Sequence, residues 1–220
     1  ADMVATNVAN ASTPGYVRRT VQVSENVLAG STAGVRSDGI GRSQNEALTA
    51  ERRSLTSDLA QADVLSSTWR TISSMVGDTA EGTGLFKAFG SFESALSNLA
   101  LSPESGADAS AVLNSANAII REFHSLSQMT VSLRTEADRE IGQGRDIVNS
   151  ALKTIETLNG QLSGIDRTTG EAAALIDERN RVLDTISEYL PVQAVPRNYG
   201  MIDVVTPEGV FLLAGTARQV

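Results

Sequence analysis

A chain of 220 residues with net charge −8, 41% apolar but only 4% aromatic residues and no cysteine excludes several classes at once. The charge leaves no basic stripe for nucleic acid or for an anionic membrane surface. The missing cysteines exclude disulfides and thiolate metal or redox sites, no run of 18 apolar residues offers a membrane span, and a core poor in aromatics suits thin helical bundles.

Residues 1–10 carry the apolar spacing of a helix tail without a capping residue or proline to start it. The expectation is a chain cut inside a helix, an internal fragment of something longer. At "NASTPGY" the helix ends: Pro14 cannot continue the ladder, and Gly15 is expected at positive φ, reversing the backbone. Asn7 and Asn10 are expected to bond nearby backbone groups at the helix end. Residues 16–44 then read as an extended or β linker, with alternating Val17, Val21 and Val23 followed by "AGSTAGVRSDGIGRS", a turn-rich surface segment.

From residue 45 the period changes. Leu48, Leu55, Ala62, Trp69 and Val76 fall seven apart, with Leu59, Leu65 and Ile72 on the same side, predicting an amphipathic helix whose charged residues Glu51, Arg52, Arg53 and Asp58 face away. Gly77 is its stop. A short helix follows on Leu85, Phe89, Phe92, Leu96 and Leu99, broken by Pro103 and Gly106. Two interleaved heptad series then run through one long helix. The first is Val112, Ile119, Leu126, Leu133 and Ile147; the second is Ala116, Phe123, Thr130, Ala137, Gly144, Ala151 and Leu158. About 50 residues without proline make a helix of about 75–80 Å, with Gly142 and Gly144 as the place where it could kink. "SGIDRTTGE" is a turn. The next helix carries Leu175, Ile176, Val182, Leu183, Ile186 and Leu190 on one side and stops at Pro191. Two or three antiparallel strands close the chain, with hairpin turns at 198–200 and 207–209.

The fold class is therefore mainly α: an elongated bundle of long heptad-patterned helices, a small antiparallel β region at the C-terminal end and an extended segment near the N-terminus. The expected division is a helix end and hinge turn (1–15), a linker (16–44), a rod-like helical bundle (45–190) and a β-hairpin region (191–220).

Catalytic chemistry finds no candidates. His124, the one histidine, sits within the long helix with no base or nucleophile nominated beside it. "GIGRS" and "GTGLF" lack the strand, helix and third glycine of a nucleotide loop. The charges at 134–140, and those of Asp177, Glu178, Arg179 and Arg181, read as solvated helix faces with i,i+4 pairs. Phe86, Phe89 and Phe92 read as core. No metal or cofactor is expected.

"TNVANASTPGY" resembles the N-terminal motif of the axial proteins of the bacterial flagellum. Asn7, Ala9, Asn10, Thr13, Gly15 and Tyr16 match it, and Pro14 is a common form of it. Long helices after the motif, in place of mostly β structure, are similar to the hook-associated protein 1 family. "LIDERNRVLDTISEYLPV" resembles that family's "L-D-x-R-D-x-L" helix at Leu175, Asp177, Arg179 and Leu183, with Asn180 where Asp is commoner. "GVFLLAGTARQV" matches its strand and turn at Gly215, Ala217 and Arg218.

The resemblance implies a non-enzymatic structural adaptor that assembles as a ring at the hook–filament junction. It implies contacts with copies of itself, with hook protein and with the second junction protein. It also implies export by the flagellar type III apparatus without a cleaved signal peptide, an export chaperone acting through terminal segments, an extracellular location in the flagellum, and a monomeric isolated fragment. The opening motif would be a hinge between the axial helix and the outer layers. Two alternatives stay open: a coiled-coil signalling or binding module, which heptads alone would also fit, and another axial subunit of the hook, rod or flagellin type.

Overall fold

The computed structural model describes residues 2–28, 31–78 and 82–220. Ala1 of the expected truncated helix, two residues of the predicted turn-rich segment (29 and 30) and residues 79–81 lie outside the described residues. The elements are α1 (Asp2–Ala9), β1 (Arg19–Leu28), β2 (Ser31–Arg42), α2 (Glu46–Val76), α3 (Gly84–Leu101), α4 (Gly106–Ser163), α5 (Gly170–Ser187), β3 (Gln193–Pro196), β4 (Ile202–Val205), β5 (Phe211–Ala214) and β6 (Thr216–Ala217). The fold is mainly α, as the periodicity predicts. The chain divides into two compact units, one of residues 1–60 and 143–220, the other of residues 61–142.

In the first unit, α1 leads through the Pro-Gly turn into an antiparallel pair, β1 with β2, whose root register sets Arg19 opposite Arg42. The "STAGVRSDGIGR" stretch is strand, not the turn-rich segment its glycines suggest. Register shifts at Gln22/Val23 and Glu25/Val27 absorb the irregularity. Gly39 sits at φ +133, and a Cβ there would lie 2.3 Å from the Thr168 side chain. The close approach lets the Ile40 N–H donate to Thr168 O at 2.7 Å, which seats the hairpin on the α4–α5 turn.

The core of this unit is built by the last third of α4, by α5 and by a four-stranded antiparallel sheet in the order β3-β4-β5-β6. Val148, Leu152 and Ile155 of α4 meet Leu183 and Ile186 of α5 and Val204 and Leu213 of the sheet. The sheet has four short strands where two or three are predicted. The 198–200 turn is a single 3₁₀ turn with Tyr199 at φ 59. The Thr169 hydroxyl caps α5 by accepting from Ala172 N–H at 3.2 Å.

In the second unit, α3 buries Ala88 and Ala95, and the first heptad series of α4 (Val112, Ile119, Leu126 and Leu133) is half-buried. Phe89 and Phe123 meet edge to face at 6.4 Å. Phe86 and Phe89 are nonetheless 41% and 46% exposed, so the core role expected of them is corrected, while Phe92 is half-buried. The small alanines, spaced a heptad apart, take the packed side of α3.

Two predicted helix registers also need correction. In α4 the buried residue is Val148, not Ile147, and Phe123, Thr130 and Ala137 are exposed, while Gly144, Ala151 and Leu158 of the second series are buried as predicted. A seven-residue series drifts by about 20° per heptad on a straight helix, so five heptads from Val112 accumulate about one residue's rotation. The helix is continuous through Gly142 and Gly144, the place where the sequence allowed a kink. In α2 the predicted stripe is not the covered side over most of its length. Leu48, Leu55, Leu59, Leu65 and Trp69 are exposed, while Arg53 and Ser57 are buried; Ile72 and Val76 at the far end of the stripe are half-buried, and Glu51, Arg52 and Asp58 are exposed as predicted.

Candidate functional site

The Thr6–Tyr16 motif forms a fastened turn. Thr13 O accepts from Tyr16 N–H at 3.1 Å, across Pro14 and Gly15. Gly15 lies at φ +77. Proline second and a left-handed glycine third are the residues a type II turn requires. A Cβ on Gly15 would also lie 2.3 Å from Cγ of Arg181 on α5, so glycine is needed here for conformation and for space.

Asn10 behaves as predicted: its Nδ2 donates to Thr6 O at 2.9 Å, and its Oδ1 accepts from the Thr13 hydroxyl. Asn7 does more. Its Oδ1 accepts from Arg19 N–H at 2.9 Å and from Tyr16 Oη–H at 2.8 Å, and its Nδ2 donates to Arg19 O at 2.8 Å. One amide side chain thus pairs with the main chain of β1 as a neighbouring strand would. It ties α1 to the hairpin across twelve residues of sequence. Ala9, the last residue of α1, is exposed.

The contacts continue inward. The Arg19 guanidinium lies 5.1 Å from the Tyr16 ring centre, a cation–π placement, and reaches Asp177 on α5 at 3.6 Å. Arg42 donates to Oδ1 of the same carboxylate through Nε at 2.9 Å and Nη2 at 2.6 Å. Two arginines opposite each other on a hairpin repel, and Asp177 between them removes that cost. From Asn7 to Asp177 an unbroken set of contacts runs from α1 to α5.

Asp177 and Arg179 are 4% and 7% exposed, which corrects the solvated-face reading. That reading holds for Glu178 and Arg181, which pair with each other at the surface. Arg179 donates from Nη1 to Gly200 O at 2.6 Å and to Asn159 Oδ1 at 3.2 Å. Asn159 in turn brackets Ile202, accepting from its N–H and donating to its C=O. Burial, with Arg42 and Arg53 beside it, pushes the Arg179 guanidinium down to about 10, against a pull upward from Glu46. Its charge therefore costs stability at neutral pH, and that cost is relieved only as pH rises through about 10.

The burial of Arg53 has its explanation on α5 as well. Its Nε donates to Asp184 at 2.7 Å and its Nη2 to Asn180 O at 3.1 Å, while Arg52 takes the other Asp184 oxygen at 2.7 Å. Asn180 also donates to Gln44. Of the remaining predicted positions, Leu183 is buried and Leu175 half-buried. Gly215 forms the β5–β6 turn, Ala217 N–H donates to Glu156 at 3.1 Å, and Arg218 N–H donates to Leu212 O at 2.9 Å. His124 is exposed on α4.

Sequence reasoning missed Arg19, Arg42, Arg53, Asn159 and Asp184. The available signal was an arginine at each end of a hairpin pattern, which needs a carboxylate from elsewhere. Among the described residues, no group of three or more histidine, cysteine or carboxylate side chains is placed to hold a metal ion.

Comparison with known proteins gives one answer. The chain is 24% identical over 98% of its length to flagellar hook-associated protein 1 of Salmonella typhimurium, covering 40% of that protein. It is 23% identical over 93% of its length to the Bacillus subtilis protein of the same name, covering 43% of it. This chain thus spans about two fifths of the length of the curated relatives it matches. In fold it resembles the flagellar hook junction protein FlgK from Burkholderia pseudomallei, with TM-score 0.63 and 19% identity over 80% of this chain and 30% of that one. The family model described as the flagellar hook-associated protein FlgK helical domain matches residues 69–220, and this chain belongs to that family.

Proposed function

We propose that this chain is part of a structural, non-enzymatic flagellar subunit that joins hook to filament. In this reading it packs as a ring with copies of itself, between hook protein and the second junction protein, after export through the flagellar type III apparatus. A chaperone would act on segments outside these residues. The Thr6–Tyr16 turn is the hinge: it fixes the direction in which α1 leaves the body of the subunit.

The observation that carries this is the Asn7 clamp with its continuation through Arg19 to Asp177. A turn that only ended a helix would not need a side chain paired with a strand twelve residues on. A second observation agrees. Leu48, Leu55 and Leu59 form an exposed apolar stripe on α2, and Val4 and Val8 of α1 are exposed too, as suits surfaces covered on assembly.

The test is complementation. In cells lacking their own hook-associated protein 1, a full-length protein carrying these residues should restore filaments. If it reaches the cell exterior and filament subunits still escape into the medium, the junction role is wrong. The 220-residue chain should sediment as a monomer at micromolar concentration, whereas a stable dimer would favour a coiled-coil signalling module.

A further inference from the structure

A cleft of about 120 Å³ opens between the start of α2, α5 and β3. Three arginines, Arg42, Arg53 and Arg179, line it. Two have carboxylate partners, Arg42 in Asp177 and Arg53 in Asp184. Arg179 differs. Among the described residues its hydrogen bonds go only to neutral acceptors, Gly200 O and Asn159 Oδ1. Its Nε is buried with no acceptor among the described residues, and the residue is only 7% exposed.

Arg179, one of the residues lining the cleft, thus carries a positive charge largely kept from water, with Arg42 and Arg53 lining the same cleft. Such a charge is costly unless paired. On the rim, Glu46 is the one acidic residue among those lining the cleft, and Ala50 and Gln193 are exposed there, so the mouth is reachable from solvent. The planar fork of a guanidinium matches a carboxylate in shape and charge.

We propose that this cleft is a carboxylate-binding site, in which an acidic group enters past Glu46 and Ala50 and accepts hydrogen bonds from Arg179. The site does not depend on the hook–filament reading. The carboxylate is either a free anion or an acidic side chain of a protein, and the two share the same chemistry at Arg179.

The test follows the side-chain resonances of Arg179 by NMR in the 220-residue chain at constant ionic strength. Sodium acetate and N-acetyl-glutamate amide are titrated separately against sodium chloride. A saturating shift with either carboxylate is expected, and tighter binding of the glutamate compound identifies a protein side chain as the natural occupant. Ala50→Glu, at an exposed helix position, places a tethered carboxylate at the mouth. Tethering supplies it at about millimolar effective concentration, so a carboxylate with a Kd of about 0.1 mM should bind about tenfold more weakly. Shifts that stay linear with concentration, or that are the same in Ala50→Glu and in the unaltered chain, overturn the proposal.

Discussion

Asn7 and Gly15 hold the Thr6–Tyr16 turn between them, and each does so by a different physical route. Asn7 contributes hydrogen bonds that no other residue in the motif can make: two to the main chain of Arg19 and one from Tyr16. Asn7→Ala leaves those groups without partners in a half-buried place, and should cost about 1–3 kcal/mol, read as a lower urea midpoint for the first unit. Ser12→Ala, at an exposed position whose side chain makes no hydrogen bond among the described residues, should leave the midpoint within about 0.5 kcal/mol. Equal effects of the two would remove the clamp from the account. Gly15 contributes geometry instead: a β-branched residue at φ +77 costs about 1–2 kcal/mol or more, and its side chain must displace Arg181.

At the scale of elements, α5 is the hub, and its charges are its contacts. Asp177 holds Arg42 and Arg19 together at the root of the hairpin. Asp177→Ala leaves both cations largely buried and unpaired, a change expected to cost about 3–5 kcal/mol, and hydrogen exchange should then accelerate in β1 and β2 before the β3–β6 sheet. Uniform acceleration across the unit would show that Asp177 is not a local fastening. In the sheet, Ala217 N–H, followed by the Lys153 ammonium, holds the Glu156 carboxyl below the ordinary glutamate value. A lowered folded pKa gives stability that is present above the unfolded value and lost as pH falls through the folded one. Glu156→Gln keeps an acceptor but does not titrate, so its stability should fall less steeply than that of the unaltered chain below about pH 4.3. Identical slopes would mean that the bond to Ala217 is not held in solution.

At the scale of the whole molecule, the helices were legible and their faces only in part: the predicted α5 stripe from Leu175 to Leu190 is buried or half-buried, whereas the α2 stripe is mostly exposed. The stop at Asn10–Gly15, the long unbroken helix and the Pro191 boundary all follow from local chemistry that needs no partner. The α2 stripe misled because periodicity marks which residues share a side, not which side is covered; Arg53 is buried because Asp184 and Asn180 await it 127 or more residues later. Asp177 and Arg179 looked solvated for the same reason: their partners, Arg42 and Asn159, lie on other elements. The motif itself was recognisable, but the pairing of Asn7 with β1 was hidden until the strand was placed.

The central claim is that the Thr6–Tyr16 turn sets the direction of α1 relative to the hairpin and α5, rather than merely ending a helix. Its most direct test is Gly15→Val in the full-length protein, with filament subunits measured in the culture medium and motility scored alongside. The account predicts that the variant folds, is exported at normal levels and forms poor junctions, so that filament subunits accumulate outside the cell. Normal swimming with intact filaments would contradict it.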